Sequence, residues 1–322
     1  MNVRRRLISA TAVTAATALG LGALSACSSD SAATGNTDKF DVVASFYPMA
    51  FLAEQIGGDH ANVTSLTEPG QEPHDLEIST KQRAQLEEAD AALFLKGLQP
   101  AVDEAVSQTG IKTKIDAAGL TTLEDHGSTE HEHEGEGEGE KGHAEEEEHA
   151  RDPHIWLDPV KYAEVAEGVG KAFEKADPDH AADYKKNTAA LVKKLNGLDG
   201  DFENGLKNTK TKVFFTNHAA FGYLAERYGL TQEAISGLDP ESEPSAARVK
   251  ELQQEAKADG VTTVFYETLV SDKTAKTLAK DAKLKTDVLD PLEGITDKSR
   301  GDDYFQVMEA NLKALQAALG AK

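Results

Sequence analysis

The sequence predicts an α/β fold of two lobes, each a mainly parallel sheet flanked by helices, joined by one long linker helix. Three observations carry that expectation. Short apolar runs alternate with helical stretches between residues 40 and 95, the β-α-β-α-β order of a parallel sheet covered by helices. One apolar stripe at helical spacing then runs through residues 179–207. A second series of apolar runs and helical stretches fills residues 212–289.

The first 26 residues stand outside the fold. Arg4, Arg5 and Arg6 precede an Ala-rich apolar stretch from Leu7 to Leu24, with the layout of a secretion signal and too many Ser and Thr for a spanning helix. The stretch ends Leu24-Ser25-Ala26-Cys27, which resembles the bacterial lipoprotein signal. That resemblance implies cleavage before Cys27, lipidation of its thiol, and a protein held on the outer face of the cell membrane by lipid. Residues 27–38 are small and polar and read as a flexible tether.

An N-terminal lobe is expected over residues 39–177. Phe40–Phe46 reads as a buried strand, and Pro48–Ile56 as a helix stopped by Gly57 and Gly58. Asn62–Leu66 is a second strand. Ser79 can cap a helix running to Ala89, and Ala91–Leu95 is a third strand. Residues 124–150 break the pattern with 12 acids, one Lys and five His, and no apolar period. Such a stretch cannot order itself by burial and reads as an inserted mobile loop. Pro159–Lys175 is helical up to the break at Asp177-Pro178.

The linker helix is expected over residues 178–207. Tyr184, Thr188, Leu191, Leu195, Leu198 and Phe202 recur at steps of three and four. Gly197, Gly200 and Gly205 each cost about 1 kcal/mol against Ala, which predicts a kink or an early end. The C-terminal lobe then covers residues 208–322. Its strands are Lys212–Thr216, Thr262–Tyr266 and Thr286–Leu289. Its helices are Ala219–Tyr228, Ala246–Ala258, Lys273–Ala282 and Asp303–Leu319.

Composition narrows the chemistry. The formal net charge of -22 repels phosphate backbones, so nucleic acid is not an expected partner, and it favours cations near the surface. A single cysteine excludes an intramolecular disulfide and any cysteine-based zinc finger.

Outside the acidic loop five histidines remain. His60 and His180 sit in polar turns and are read as ordinary surface residues. His74 follows the second strand in Glu72-Pro73-His74-Asp75. His154 lies in the proline-bracketed Asp152-Pro153-His154-Ile155-Trp156-Leu157-Asp158-Pro159, and His218 follows the strand at 212–216. The C-terminal ends of strands are where open α/β sheets bind ligands, so these three are expected to converge in the cleft between the lobes. Neutral imidazole suits zinc, and a tetrahedral site asks for a fourth ligand. Glu267, Asp290 and Glu293 all follow strands of the second lobe and qualify. Trp156 and Phe221 either line the cleft or pack in the core. Asp152 and Asp158 either hold the second nitrogen of a ligand imidazole or cap turns.

Pro73-His74-Asp75, the segment from Asp152 to Pro159, Asn217-His218-Ala219-Ala220-Phe221-Gly222-Tyr223 and Leu289-Asp290-Pro291-Leu292-Glu293 together resemble the zinc-binding solute-binding proteins of bacterial ABC importers. The lipoprotein signal and the His/Glu-rich loop fit the same family, and the resemblance spans nearly all of the mature chain. It implies a rigid linker helix and Zn2+ as the bound substrate. It implies a permease and its ATPase subunits as partners, and a monomer that is not an enzyme. It implies His74, His154 and His218 as metal ligands. The fourth position varies in the family between a carboxylate and water; here it points to Glu293, with Asp290 as the neighbour that can displace it. Manganese-binding relatives typically carry a carboxylate where His218 stands, and imidazole there favours zinc. His126, His131, His133, His143 and His149 of the loop are expected to bind further zinc weakly.

Two other functions compete. A zinc hydrolase is disfavoured, because no His-Glu-x-x-His helix and no nucleophile elbow is present. A surface adhesin or metal buffer with no transporter is the other.

Overall fold

Parallel strand pairing builds both halves of the molecule. The computed structural model describes residues 39–126 and 151–322. The signal segment, Cys27, the tether, and His131, His133, His143 and His149 lie outside the described residues.

The first sheet has the order β2-β1-β3-β4, all parallel. Its strands are β1 (Phe40–Ala44), β2 (Ala61–Ser65), β3 (Ala91–Phe94) and β4 (Thr113–Asp116), and between them run α1 (Tyr47–Gly57), α2 (Thr80–Glu88) and α3 (Pro100–Gln108). Side chains of β1 alternate between faces, as strand geometry demands. Val42 joins the main core, whereas Val43 packs on the other side with Leu66, Leu86 and Val102. Pro48 starts α1, and Gly58 ends it with φ of 53°. Ser79 and Gln82 form a reciprocal capping box on α2.

Next come α4 (Pro159–Ala176) and α5 (Ala181–Leu206). Asp158 caps α4 by accepting from the Val160 N–H at 2.9 Å. Residues Pro178–His180 form a separate 3-10 turn ahead of α5. The expected early end at Gly197 or Gly200 does not occur; α5 runs unbroken for 26 residues. Tyr184, Leu191, Leu195, Leu198, Phe202 and Leu206 are all buried along it. Each such side chain contributes about 1.5–3 kcal/mol, which outweighs the glycine penalty. The Gly205 carbonyl also accepts from Gln316 Nε2 of the terminal helix at 3.3 Å.

The second sheet repeats the first, with order β6-β5-β7-β8, again all parallel. It comprises β5 (Val213–Thr216), β6 (Thr231–Ala234), β7 (Thr263–Tyr266) and β8 (Lys285–Val288). The accompanying helices are α6 (Gly222–Arg227), α7 (Ala246–Ala258), α8 (Lys273–Ala282) and α9 (Tyr304–Leu319). The helix expected from Ala219 starts three residues later, because residues 217–221 form the turn that carries His218.

One main core joins both sheets to α1, α4, α5 and α9. Phe51 of α1 stacks on Tyr304 of α9 at 5.4 Å, and Tyr162 of α4 meets the same ring at 4.8 Å. Parting the lobes would expose these rings to water.

Candidate metal centre

Four loops at the C-terminal ends of strands, or leading into α4, converge between the sheets. They bring His74, His154, His218 and Glu293 together, with one ligand atom from each lying within 4.8 Å of the others. His74 sits on the loop between β2 and α2. The carboxylate of Glu72 fixes that loop by accepting from the backbone N–H of His74 at 3.1 Å and of Asp75 at 3.2 Å. His154 precedes the short helical turn Ile155–Leu157. His218 follows β5, and its carbonyl accepts from Thr216 Oγ1 at 2.8 Å and Gln232 Nε2 at 2.9 Å.

Two buried carboxylates orient two of the imidazoles. Asp152 Oδ1 accepts from both the backbone N–H of His154 at 2.9 Å and its Nδ1 at 2.7 Å. Glu267, just past β7, takes His218 Nδ1 at 2.8 Å and Asn217 Nδ2 at 3.0 Å. With Nδ1 donating its proton, each Nε2 presents a lone pair to the centre.

Glu293 arrives by a strained turn. Leu292 has φ of 59°, and only it and Lys283 among the described non-glycine residues have positive φ. Such a conformation costs about 1–3 kcal/mol and persists only where its surroundings enforce it. Asp290 does the enforcing. Its Oδ1 accepts from the Leu292 N–H at 2.9 Å, and its Oδ2 accepts from Ser299 Oγ at 2.9 Å. Trp156 adds a strap, donating Nε1–H to the Pro291 carbonyl at 2.7 Å.

The donor spacing fits a four-coordinate ion. Glu293 Oε1 lies 3.3 Å from His74 Nε2, 3.3 Å from His154 Nε2 and 3.4 Å from His218 Nε2, and the last two nitrogens are 3.4 Å apart. A tetrahedral zinc with bonds of about 2.0–2.1 Å sets its ligands roughly 3.3–3.4 Å from one another. The second oxygen of Glu293 is buried and has no hydrogen-bond partner among the described residues. His74 is the one member with appreciable exposure, 12% of its side chain, so it marks the open side of the cluster.

Charge at the centre is shared between carboxylates and imidazoles. Burial opposes a charged His218, but Glu267 and Glu293 outweigh it and hold the imidazole well above its ordinary range. His154 is raised in the same way, against burial, by Asp152 and Glu293. Burial would raise the Glu293 carboxyl, yet the His218 charge and hydrogen bonds from the three imidazoles keep it well below its ordinary value.

The alternatives for the fourth position lie outside this cluster. Glu267 stands behind His218 as its hydrogen-bond partner, and Asp290 is spent on its own turn; neither belongs to the cluster. The two aspartates divide the roles open to them. Asp152 holds an imidazole, while Asp158 caps α4 and pairs with Arg227 at 2.7 Å. Trp156 and Phe221 are core residues. Glu72 escaped sequence reading, although its place two residues before His74 was a usable signal. His60 and His180 stack at 4.1 Å away from the centre. His126 departs from the mobile-loop expectation, because residues 124–126 pack against α6.

Neutralising the Glu267 carboxylate should weaken zinc binding by about 10–100-fold, the usual cost of losing a partner that orients a ligand histidine. Competition of Glu267→Gln against a chromophoric chelator measures this. Unchanged affinity would deny Glu267 that role.

Residues 42–318 match the family described as zinc-uptake complex component A, periplasmic. The chain is 40% identical over 300 residues to the zinc-binding lipoprotein AdcA of Streptococcus pneumoniae, covering 91% of this chain but 58% of that protein. It is 36% identical over 319 residues to the high-affinity zinc uptake system protein ZnuA of Bacillus subtilis, covering 94% of this chain and 98% of that one. The Zn(II)-bound ZnuA-like domain of Streptococcus pneumoniae AdcA superposes with a TM-score of 0.71 at 36% identity, covering 87% of this chain and 99% of that domain.

Proposed function

This chain belongs to the zinc-uptake complex component A family, and from that premise we propose that it captures Zn2+ outside the cytoplasm for a zinc importer. The ion is its cargo, handed to a membrane permease driven by ATPase subunits. Cys27, lipidated, anchors it to the outer face of the membrane. His74, His154, His218 and Glu293 are the ligands. The 3.3–3.4 Å spacing of Glu293 Oε1 from the three imidazole nitrogens carries this reading. Three imidazoles and one carboxylate favour zinc over harder manganese. Four protein ligands also fill the tetrahedral shell, whereas a catalytic zinc keeps a position open, so the reading is of a carrier and not a hydrolase.

Metal analysis and chelator competition test it. One tightly held zinc per chain is expected, with manganese bound far more weakly. Absence of a tight zinc event would remove the function.

Binding should weaken as pH falls. Zinc must displace the proton that Glu267 and Glu293 hold on His218, and each proton displaced costs more at lower pH. Because His218 is raised, the decline should begin above the ordinary imidazole value of about 6.5. Stability of the metal-free protein follows the opposite sign. The contribution of His218 is full below that ordinary value and fades as pH rises through the raised one. Calorimetry in two buffers of different ionisation enthalpy should show net proton release. Zinc affinity that stays flat from pH 8 to pH 6 would contradict this account.

A further inference from the structure

We propose that Asn311 of the terminal helix α9 is a positioning residue for zinc binding, fixing the turn that delivers Glu293 to the three imidazoles. This role rests on the zinc-carrier reading and deepens it.

Asn311 lies on the buried side of α9, 2% exposed, in company with Val307, Met308, Leu312 and Leu315. Asn is a poor helix former, and a buried amide is costly unless its donor and acceptor are both used. Both are used here, and on one residue. Asn311 Oδ1 accepts from the Asp290 N–H at 2.9 Å, and Nδ2 donates to the Asp290 carbonyl at 2.7 Å. Those two backbone groups fix which end of the amide is oxygen.

The need for this pair follows from the sheet. β8 is an edge strand with β7 as its one neighbour. The Leu289 N–H still donates to the Tyr266 carbonyl at 3.1 Å, and then the chain leaves the ladder. At Asp290 the amide of Asn311 takes the place of a neighbouring strand. Pro291 has no N–H to satisfy, and its carbonyl accepts from Trp156. The Leu292 N–H donates to Asp290 Oδ1. Every backbone donor and acceptor from the Asp290 N–H to the Leu292 N–H is therefore paired, and this pairing holds Leu292 at its φ of 59°.

One helix sets both sides of the site. Tyr304 stands seven positions before Asn311, about two turns, so the two share a face of α9. The Tyr304 hydroxyl donates to the Trp156 carbonyl at 2.7 Å. Trp156 lies two residues after His154. α9 thus grips the segment of His154 through Tyr304 and the turn of Glu293 through Asn311. A ligand imidazole and the ligand carboxylate are both referred to a single rigid element.

The effect of Asn311 passes through the backbone of Asp290. Removing the amide leaves the Asp290 N–H and carbonyl unpaired, frees Leu292 to leave positive φ, and lets the Glu293 carboxylate swing away from the imidazoles.

The test is a double-mutant cycle on the full chain after chelator stripping, read by competition for zinc against a chromophoric chelator. Asn311→Leu matches the side chain in size and removes both hydrogen bonds. It should weaken zinc binding by about tenfold or more, as loss of an orienting partner does, and by no more than Glu293→Ala. In the Glu293→Ala background the same substitution should change affinity less than about twofold, because the ligand it positions is gone. Crystals of zinc-loaded Asn311→Leu should show Leu292 at negative φ and Glu293 withdrawn; an unmoved turn would refute the role. Ser299→Ala removes a milder support of the same turn, the donor to Asp290 Oδ2, and decides the matter if Asn311→Leu does not fold. It should weaken binding by less, again only where Glu293 is present. For either folded variant, no loss of affinity, or an equal loss with and without Glu293, would overturn the proposal. A parent protein that binds no zinc tightly would instead count against the carrier reading.

Discussion

Zinc added to chelator-stripped protein is expected to raise the melting temperature by roughly 10 °C. A ligand present at about 1,000 times its dissociation constant stabilises the native state by about 4 kcal/mol. For a protein of this size, 1 kcal/mol moves the midpoint by about 2–4 °C. The four residues come from loops that are far apart in the chain, His74 and Glu293 standing 219 positions from each other. An ion bound to all four must be released before the lobes can part. A differential scanning measurement with and without zinc decides. Equal midpoints would mean that the four residues do not bind the ion together.

Replacing His218 with Ala should abolish tight binding, with a loss well beyond the roughly 100-fold upper end for an orienting partner. His218 supplies one of three imidazole nitrogens, and no other described histidine is positioned to replace it. The substitution also takes one of two donors from the buried carboxylate of Glu267, leaving it Asn217 Nδ2. That partner loss destabilises the metal-free protein as well, so folding of the variant is checked by circular dichroism before its affinity is read. Glu293→Ala should cost less than His218→Ala, because water can take a fourth position whereas nothing replaces the nitrogen. An affinity for His218→Ala close to that of the parent would refute the ligand set. A larger loss from Glu293→Ala than from His218→Ala would make the carboxylate the dominant ligand.

Alternating apolar runs were enough to read two parallel α/β halves, because buried parallel strands need near-continuous apolar sequence. The strands Thr113–Asp116 and Thr231–Ala234 were not legible. Both lie at sheet edges, where TKID and TQEA carry few apolar side chains and pairing with one neighbour suffices. The helix Pro100–Gln108 was legible in principle, from a proline at its start and Val102, Ala105 and Val106 at helical spacing. The glycines of the long helix misled, because a propensity penalty is local while the burial that overrides it comes from α4 and α9.

What the sequence alone determined were the donor types. Imidazoles beyond strand ends and carboxylates beyond the strands of the second lobe announced a borderline metal ion. Which carboxylate meets the imidazoles was decided only in three dimensions. Glu267, Asp290 and Glu293 all follow strands, and chain position does not separate them. The positive φ at Leu292, held by Asp290, turns Glu293 inward, while Glu267 is taken up by the outer nitrogen of His218. The same holds for His126, which composition assigned to the acidic loop. Its place depends on Gly222 and Asp152, contacts 96 and 26 residues away that leave no local trace in the chain. Local sequence sets the chemistry each residue can offer. Packing between distant segments sets which of those offers meet, because direction and distance exist only once both lobes are folded.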